Sequence, residues 1–330
     1  MNVLFVVPRI DKASSRYRVL QYVDPLKEYG IQSQVIPSPK TLAGKVKFWI
    51  TAPKYDILII QKKLYQPWEF RILRSLNRRI VYDLDDAVMF KDRVNETDEL
   101  VKERKFPATI RSADLIIAGN NYLQDQIVSM NPRVAVLPTS IDLRRYKMKS
   151  EPSSCSEILI GWIGARKTLV YLKDIQDALE AIGKRHPHVK VKIIADDFLE
   201  FKNIPVIRAK WSHEKEIEML QSLDIGVMPL PDNAWTRGKC GFKLLQYMAV
   251  GVSSICSPVG VNRDIVEHEV NGLWAGSKDE WVSSLSKLIE DKPLRRKLGL
   301  AGRLTVESHY SLEVNAPKLA GYLHELMKSK

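Results

Sequence analysis

Short apolar runs alternate with longer helical segments along the whole chain, and this alternation constrains the fold more than any other feature. Parallel strands buried on both faces have the composition of the short runs, such as residues 2–7 and 114–118. The segments between them repeat their apolar residues with the period of a helix, as in residues 68–76. Strands that alternate with helices form parallel sheets, so the sequence predicts an α/β fold.

The predicted strands fall into two groups, one in each half of the chain. Those of the first half are residues 2–7, 32–36, 56–60, 79–82, 114–118 and 134–137. Those of the second half are residues 157–163, 189–195, 206–208, 224–228 and 253–256. We therefore predict two doubly wound, Rossmann-like domains that face each other across a cleft. Ligands are expected in that cleft, where the carboxyl ends of the strands lie.

A polar stretch separates the two groups and marks the predicted domain boundary. Residues 147–156, KMKSEPSSCS, interrupt the apolar periodicity and suggest a linker. The first domain is accordingly placed in residues 1–150 and the second in residues 151–330. The tail from residue 281 onward is helical in pattern, and we expect its last helix to return to the first domain.

The charge of the chain is concentrated in its first half. The 330 residues are 45% apolar and carry a net charge of +12, which suits a globular protein with a large core. The first 150 residues hold 26 Lys and Arg against 16 Asp and Glu. This excess favours an anionic partner for the first domain.

The cysteines and the apolar stretches predict a cytoplasmic protein. Three cysteines without paired spacing suggest neither a disulfide framework nor a zinc site, and the six histidines show no metal-ligand spacing. The first residues, MNVLFVVPRI, lack the basic leader of a signal peptide. The longest stretch without formal charge, residues 244–262, contains glycines and a proline that do not suit a spanning helix.

Three cations and two glycines surround a predicted helix start in the second half: Arg237, Gly238, Lys239, Gly241 and Lys243. Free amide hydrogens and the helix dipole favour a phosphate at such a position, and glycines let the backbone approach it closely. The segment is therefore a candidate pyrophosphate site. A solvated basic helix start beside a buried apolar face explains the same spacing, and the residues alone do not separate the two interpretations.

Several landmarks in order resemble glycosyltransferase family 4, which has the GT-B fold. They are LPTSIDLRRYK (137–147), IGWIG (160–164), DIGVMPL (224–230), LLQYMAVGV (244–252), SPVG (257–260) and VNGLWA (270–275). The resemblance extends over nearly the whole chain. It implies transfer of a sugar from a nucleotide diphosphate sugar to an acceptor hydroxyl, with retention of configuration, without a metal ion and without a further cofactor.

The resemblance also implies which residues bind the donor. The implied phosphate and nucleotide contacts are Gly164, Arg166, Arg237, Lys239, Gly241, Phe242, Lys243 and Gln246. Two glutamates eight residues apart are usual in the family, but those positions align with Gly238 and Gln246 here. The usual Arg and Lys of the phosphate clamp align with Ala165 and Val170. We therefore expect the neighbouring cations to neutralise the diphosphate.

Three carboxylates follow a predicted strand in the first half, in VYDLDDAVMF (81–90). The D-x-D pattern holds a metal in another glycosyltransferase fold, but the implied donor site lies in the other domain, so we expect no metal. Asp85 and Asp86 are the catalytic candidates. The alternative is that one aspartate caps a helix and another pairs with Arg78 or Arg79, and we favour it for Asp83.

The segment after the first strand offers candidates on the acceptor or phosphate side. Ser15 and Arg16 occupy the place of the glycine-rich turn of the family, and Arg18 follows them. Ser14 or Ser15 is alternatively the cap of a helix that begins near Arg16. Trp211, in the second half, either stacks on the nucleotide base or packs in the core, and packing is favoured.

Lysines alternate with large apolar residues in KTLAGKVKFWITAPKY (40–55), which suits an anionic lipid surface. An ordinary amphipathic core helix is the commoner explanation of such a segment taken alone. The charge of the first half favours peripheral contact with the inner face of the cell membrane, and a glycan or lipid-linked acceptor would make that contact functional.

Two other functions compete with sugar transfer in polysaccharide or glycolipid assembly. The missing glutamates suggest a degenerate homologue that binds a nucleotide or partner without turnover. The basic first half suggests a nucleic-acid binder. We rank nucleic acid last and do not expect it as a partner, because the sequence contains no recognised nucleic-acid module.

Overall fold

A computed structural model describes residues 1–77, 79–90, 99–150 and 157–328. Within them the chain forms two compact units. The first unit comprises residues 1–140, 234–240 and 312–328, and the second comprises residues 141–150, 157–233 and 241–311.

The first unit contains a six-stranded parallel sheet in the order β2-β1-β3-β4-β5-β6. Its strands are β1 (Asn2–Val7), β2 (Gln32–Pro37), β3 (Ile57–Gln61), β4 (Ile80–Leu84), β5 (Leu115–Ala118) and β6 (Val134–Val136). Its helices are α1 (Ala13–Arg18), α2 (Val23–Glu28), α3 (Leu42–Thr51), α4 (Pro67–Leu76), α5 (Glu99–Ser112), α6 (Asn121–Ile127), α10 (Ala234–Arg237) and α15 (Leu312–Lys328).

The second unit repeats the design with the order β12-β11-β10-β7-β8-β9. Its strands are β7 (Ile158–Ile163), β8 (Val189–Ala195), β9 (Val206–Lys210), β10 (Ile225–Met228), β11 (Ser253–Cys256) and β12 (Leu273–Trp274). Its helices are α7 (Leu169–Lys173), α8 (Gln176–Arg185), α9 (Glu216–Gln221), α11 (Phe242–Ala249), α12 (Asn262–Ile265), α13 (Lys278–Glu290) and α14 (Lys292–Thr305).

Strand β1 shows why the apolar runs become central strands. Leu4 and Val6 point into the core on one face of the first sheet, and Val3, Phe5 and Val7 point into the core on the other. Both faces are buried because helices cover each of them. A strand in this position needs apolar residues throughout rather than alternating ones, as the sequence has.

The last helix, α15, packs on the first sheet. Leu312, Leu319 and Leu323 share a buried cluster with Val3 and Phe5 of β1. Arg79 donates hydrogen bonds to the carbonyls of Leu326 and Met327 at the end of this helix. This contact is favourable because the guanidinium group of Arg79 is positive and a helix carries partial negative charge at its carboxyl end.

The predicted fold class is confirmed: the chain forms two parallel, Rossmann-like sheets with flanking helices. Strands β1, β8 and β11 have the predicted bounds, and the two-residue strand β12 was not predicted. Residues 151–156 of the predicted linker lie outside the described residues. In the described chain the first segment of the first unit ends at residue 140, and residues 234–240 and 312–328 also belong to this unit although the predicted second domain includes them.

Candidate functional site

A buried group of charges lies at the carboxyl edge of the first sheet. Asp83 is in β4, Asp85 and Asp86 follow that strand, and Lys62 follows the neighbouring strand β3. The Lys62 Nζ atom lies 2.7 Å from Asp85 Oδ1 and 2.5 Å from Asp86 Oδ2. One ammonium group therefore holds both predicted catalytic carboxylates.

The backbone around this ion pair is specialised. Lys62 has a φ of 55°, in the left-handed region that a side chain makes unfavourable by about 1–2 kcal/mol. Gly119, after β5, passes so close that a Cβ atom there would lie 2.9 Å from the Asp85 Cα atom. A larger residue at position 119 would displace Asp85, so this glycine is required by packing.

The buried charges shift each other's pKa. Burial acts to lower the pKa of Lys62, but the carboxylates of Asp85 and Asp86 outweigh it and raise the pKa above its ordinary value. Burial raises the pKa of Asp86, and the attraction of Lys62 offsets only part of that rise. Lys62 is therefore an ammonium ion at neutral pH.

Asp83 has a separate partner, Arg18. Its carboxylate forms a buried, two-pronged ion pair with Arg18. Arg18 also donates a 2.6 Å hydrogen bond to the carbonyl of Leu137. Arg79, one of the two partners suggested by the sequence, instead binds carbonyls of α15, and Arg78 lies outside the described residues.

The two catalytic candidates differ in access. The side chain of Asp85 is 5% exposed, whereas that of Asp86 is 29% exposed. Only Asp86 offers an oxygen to a ligand without rearrangement. Sequence reasoning did not pair Asp85 and Asp86 with Lys62. The available signal was that Lys62 directly follows a strand next to theirs in the sheet.

The acceptor-side candidates lie on α1. Ser15 is fully buried and its hydroxyl donates a 3.2 Å hydrogen bond to Gln61 Oε1. Arg16 donates to the carbonyl of Asp11 at 3.3 Å and lies against the ring of Tyr17. The expectation that Ser14 or Ser15 caps this helix is wrong, because the helix begins at Ala13 and Lys12 precedes it.

Residues 234–240 are anchored in the first unit. Trp235 packs against the core cluster of the first sheet. The Asn120 side chain caps α6 and donates a 3.1 Å hydrogen bond to the carbonyl of Lys239. The Lys239 Nζ atom lies 5.2 Å from the Trp235 ring, within the range of a cation–π contact. The predicted cations Arg237 and Lys239 therefore belong to the first unit.

Gly238 has no room for a side chain. A Cβ atom there would overlap the Cβ atom of Ala87 and would lie 3.1 Å from the Ala87 backbone nitrogen. This is one of the two positions that align with the glutamates of family 4. Its carboxylate is absent here because the backbone packs directly on Ala87.

The other implied donor contacts lie in the second unit around β7 and α11. Gly164 follows β7, and a Cβ atom there would overlap the buried indole of Trp162. Gly241 precedes α11 with a φ of 64° in the left-handed region. Lys243, in the first turn of α11, places its Nζ atom 5.4 Å from the Trp162 ring. Phe242 begins the helix and is half-buried.

Tyr247 fixes the position of α11 on the second sheet. Its hydroxyl accepts a 3.1 Å hydrogen bond from the amide of Ile163. Its ring occupies the space left by the missing side chain of Gly226. The start of α11 is therefore held beside the carboxyl end of β7, where a parallel sheet binds ligands.

Gln246 belongs to a buried chain of hydrogen bonds. Its amide donates to the hydroxyl of Tyr146 at 3.2 Å, and that hydroxyl donates to Glu216 at 2.6 Å. The indole of Trp211 donates to the other oxygen of Glu216 at 2.7 Å. Sequence reasoning selected Gln246 and Trp211 separately and missed the carboxylate that joins them.

Arg166 lies at the surface of the second unit in a 3₁₀ turn after Gly164. It forms a 3.0 Å ion pair with Asp197, and its side chain is 81% exposed. An exposed pair of this kind contributes about 0–1 kcal/mol and is readily exchanged for another anion.

Helix α3 of the first unit exposes an apolar stripe. Leu42 and Ile50 are 73% and 66% exposed, and Val46 between them is also exposed. Phe48, which the sequence suggested as a surface residue, is instead buried in the core of the first unit. None of the described helices combines the length and apolar character needed to cross a membrane.

One protein family and several solved structures are similar to this chain. Residues 166–305 match the family described as glycosyl transferases group 1. A search of curated proteins finds no significant match. Among solved structures, HepE of Anabaena in complex with UDP and glucose has a TM-score of 0.75 and 16% identity, with 98% of this chain and 100% of that chain covered.

Two further structures have the same fold. Sucrose-phosphate synthase from Thermosynechococcus elongatus has a TM-score of 0.75 and 14% identity, and both chains are covered completely. A glycosyltransferase from Rickettsia africae has a TM-score of 0.70 and 12% identity, with 100% of this chain and 99% of that chain covered. The two-sheet fold is thus that of GT-B proteins, and the family match supports a glycosyltransferase.

Proposed function

We propose that the chain is a glycosyltransferase that moves a sugar from a nucleotide diphosphate sugar to an acceptor hydroxyl. The observation that carries the proposal is the match of residues 166–305 to glycosyl transferases group 1. That range contains Arg166, Lys243 and Gln246, and it forms most of the second unit.

The donor phosphates are assigned to the carboxyl edge of the second sheet. Amides at the start of α11 and the ammonium group of Lys243 supply hydrogen bonds and positive charge there. Gly164 and Gly241 let the side chains of Trp162 and Ile265 pack directly against the backbone at this edge. Arg166 is assigned to charge neutralisation there, whereas Arg237 and Lys239, the other predicted phosphate contacts, belong to the first unit. UDP is the first nucleotide to test, because the Anabaena structures contain UDP and UDP-glucose.

The proposed reaction retains configuration and needs no metal ion. The bond between the sugar and the diphosphate breaks, a bond to the acceptor oxygen forms on the same face, and a leaving phosphate oxygen takes the acceptor proton. The diphosphate charge is stabilised by cations of the protein. The ion pairs of Arg18 with Asp83 and of Lys62 with Asp85 and Asp86 support this, because protein cations engage the D-x-D carboxylates.

Asp86 is assigned to the transferred sugar or to the acceptor hydroxyl. Its partial exposure supports contact with a ligand. Asp85 is assigned to positioning, because its buried carboxylate holds the same Lys62 ammonium group. Ser15 and Arg16 remain acceptor-side candidates.

The proposed setting is the assembly of a polysaccharide or glycolipid at the inner face of the cell membrane. The exposed apolar stripe of α3 supports peripheral contact, because Lys47 lies on the same helix among Leu42, Val46 and Ile50. Apolar residues with neighbouring lysines suit an anionic bilayer surface.

Calorimetric titration with UDP tests the donor site. Wild-type protein should bind UDP, and Lys243→Ala should weaken binding about tenfold, which corresponds to the loss of about 1.4 kcal/mol. Lys297→Ala removes an exposed lysine from α14 of the same unit and should leave the affinity unchanged. Equal UDP affinity in wild type and Lys243→Ala would reject the assigned phosphate site.

A second candidate function is nucleotide binding without turnover. It is favoured by Gly238, which leaves no space for a carboxylate, and by Gln246, whose amide is engaged by Tyr146. Hydrolysis or transfer of UDP-glucose that is abolished in Asp86→Asn would exclude it. Tight UDP binding with no sugar transfer to any acceptor tested would favour nucleotide binding without turnover over the transferase.

A further inference from the structure

A second concave site lies in the first unit, at the carboxyl ends of β1, β2 and β3. Its volume is ≈ 420 Å³, and it is separate from the charge group around Lys62. Pro8 after β1, Ser38 after β2 and Lys63 after β3 are among the residues that line it. Three neighbouring strand ends therefore contribute to one cavity, as the edge of a parallel sheet favours.

The charge of this cavity is strongly positive. The ammonium group of Lys45 lies 2.5 Å from Glu69 Oε1, so that lysine and Glu69, the one carboxylate among the described lining residues, neutralise each other. Within the described ranges, Lys40, Lys63 and Lys105 have no carboxylate within 4 Å. Three ammonium groups around one cavity repel each other, and a bound anion would offset this repulsion.

The floor of the cavity carries buried hydroxyl groups. Ser38 and Tyr65 are more than nine-tenths buried, and their hydroxyl oxygens lie 3.2 Å apart. Burial raises the pKa of Tyr65 to about 12, so its hydroxyl keeps a proton at neutral pH. Hydroxyl donors beside ammonium groups suit the oxygens of a phosphate.

We infer that this cavity binds a phosphate group carried by the acceptor. The inference rests on the proposed glycosyl transfer and names its substrate class: a phosphorylated acceptor rather than a neutral glycan. Three lysines that form no ion pair within the described residues match the two charges of a phosphomonoester better than the single charge of a carboxylate. The donor diphosphate is assigned elsewhere, because none of its assigned contacts lines this cavity.

Binding measurements on the intact protein test the inference without any turnover. The probes are glucose 6-phosphate against glucose, and phosphatidylcholine vesicles with against without polyprenyl phosphate. The first pair represents a soluble phosphorylated acceptor and the second a lipid-linked one. At least one phosphorylated probe should bind more tightly than its unphosphorylated partner, and the preference should weaken as salt screens the charges.

Substitution locates the binding. Lys63→Gln with Lys105→Gln should weaken binding of the preferred phosphorylated probe about tenfold. Lys318→Gln, on an exposed face of α15, is the matched control and should change nothing. UDP binding should stay at the wild-type level in all variants, because the substituted lysines lie outside the donor site.

The outcomes separate this inference from the proposed function. Equal binding of phosphorylated and unphosphorylated probes, or equal affinity in wild type and the double variant, overturns the cavity assignment. Wild-type protein that discriminates phosphate through Lys63 and Lys105 but fails to bind any nucleotide diphosphate overturns the proposed donor function and leaves the phosphate site standing.

Discussion

The hydrogen-bond chain from Gln246 to Trp211 explains why position 246 carries an amide. A phenol has one proton, and Tyr146 donates it to Glu216 at 2.6 Å. The same hydroxyl must therefore accept its second hydrogen bond, and the Gln246 amide supplies that donor at 3.2 Å. An ionised glutamate at position 246 would have no proton to donate, and keeping it protonated at neutral pH would itself cost free energy.

Gln246→Glu should therefore destabilise the second unit. The three hydrogen-bonded side chains of Gln246, Tyr146 and Glu216 are all buried. The substitution removes one hydrogen bond, at about 0.5–1.5 kcal/mol. It also places a carboxylate with no donor in the interior, where an unsatisfied polar group costs about 1–3 kcal/mol and a charge costs more. Together these contributions predict a loss of about 2–4 kcal/mol.

The reciprocal substitution should restore stability. With Glu216→Gln, the new amide donates to Tyr146 while its carbonyl oxygen still accepts from Trp211. Tyr146 is then free to donate to a glutamate at position 246, so every group regains a partner. The double variant should recover most of the loss, and a coupling free energy above about 1 kcal/mol would be expected for residues in one network.

Urea unfolding of wild type, both single variants and the double variant measures this cycle. Tyr146→Phe is the control, because without the hydroxyl the two substitutions should become nearly additive. A Gln246→Glu variant as stable as wild type would refute the assigned proton arrangement. So would single-variant losses that simply add in the double variant.

Three further predictions follow from packing, titration and surface contact. Gly238→Ala should cost about 1–3 kcal/mol by overpacking against Ala87, and Ala87→Gly should recover part of it in a double-mutant cycle of urea midpoints. Burial lowers the pKa of His186 below 6.5, so the unfolded chain takes up the proton first and stability should fall as pH drops through 6.5. His186→Gln should flatten that slope between pH 7.5 and 5.5. Ile50→Asp should reduce flotation with anionic vesicles without altering the melting temperature, whereas Leu304→Asp should not reduce it.

The sheets were predictable because most of their strands are short apolar runs between helical segments. Strands β1, β8 and β11 were located to the residue. Strand β1 is apolar after Asn2, whereas β8 alternates Val with Lys at its start and β11 begins with two serines. Strand β12 escaped because two residues carry no period. The edge strand β2 is only partly buried, and its predicted end differed from the observed end by one residue.

The charges of the candidate site were predictable as a group but not as pairs. Three aspartates after one strand identified a polar sheet edge, but the cations that meet them come from distant segments. Lys62 follows the neighbouring strand, and Arg18 lies 65 residues before Asp83. The spacing of residues along the chain does not predict such ion pairs. The pairing of Lys62 with the aspartates follows instead from the adjacency of β3 and β4 in the sheet.

The two missing glutamates of family 4 have different physical causes, and this difference bears on activity. At position 238 the backbone itself contacts Ala87, so no side chain of any kind fits without displacement of the first unit's core. At position 246 a side chain of the same size is present, but the hydroxyl of Tyr146 requires it to donate. The first change removes a chemical group, whereas the second preserves shape and exchanges charge. Residues 234–246 contain no other carboxylate, and Arg237, Lys239 and Lys243 are cations that cannot accept a hydrogen bond, so this segment has no substitute for the first carboxylate.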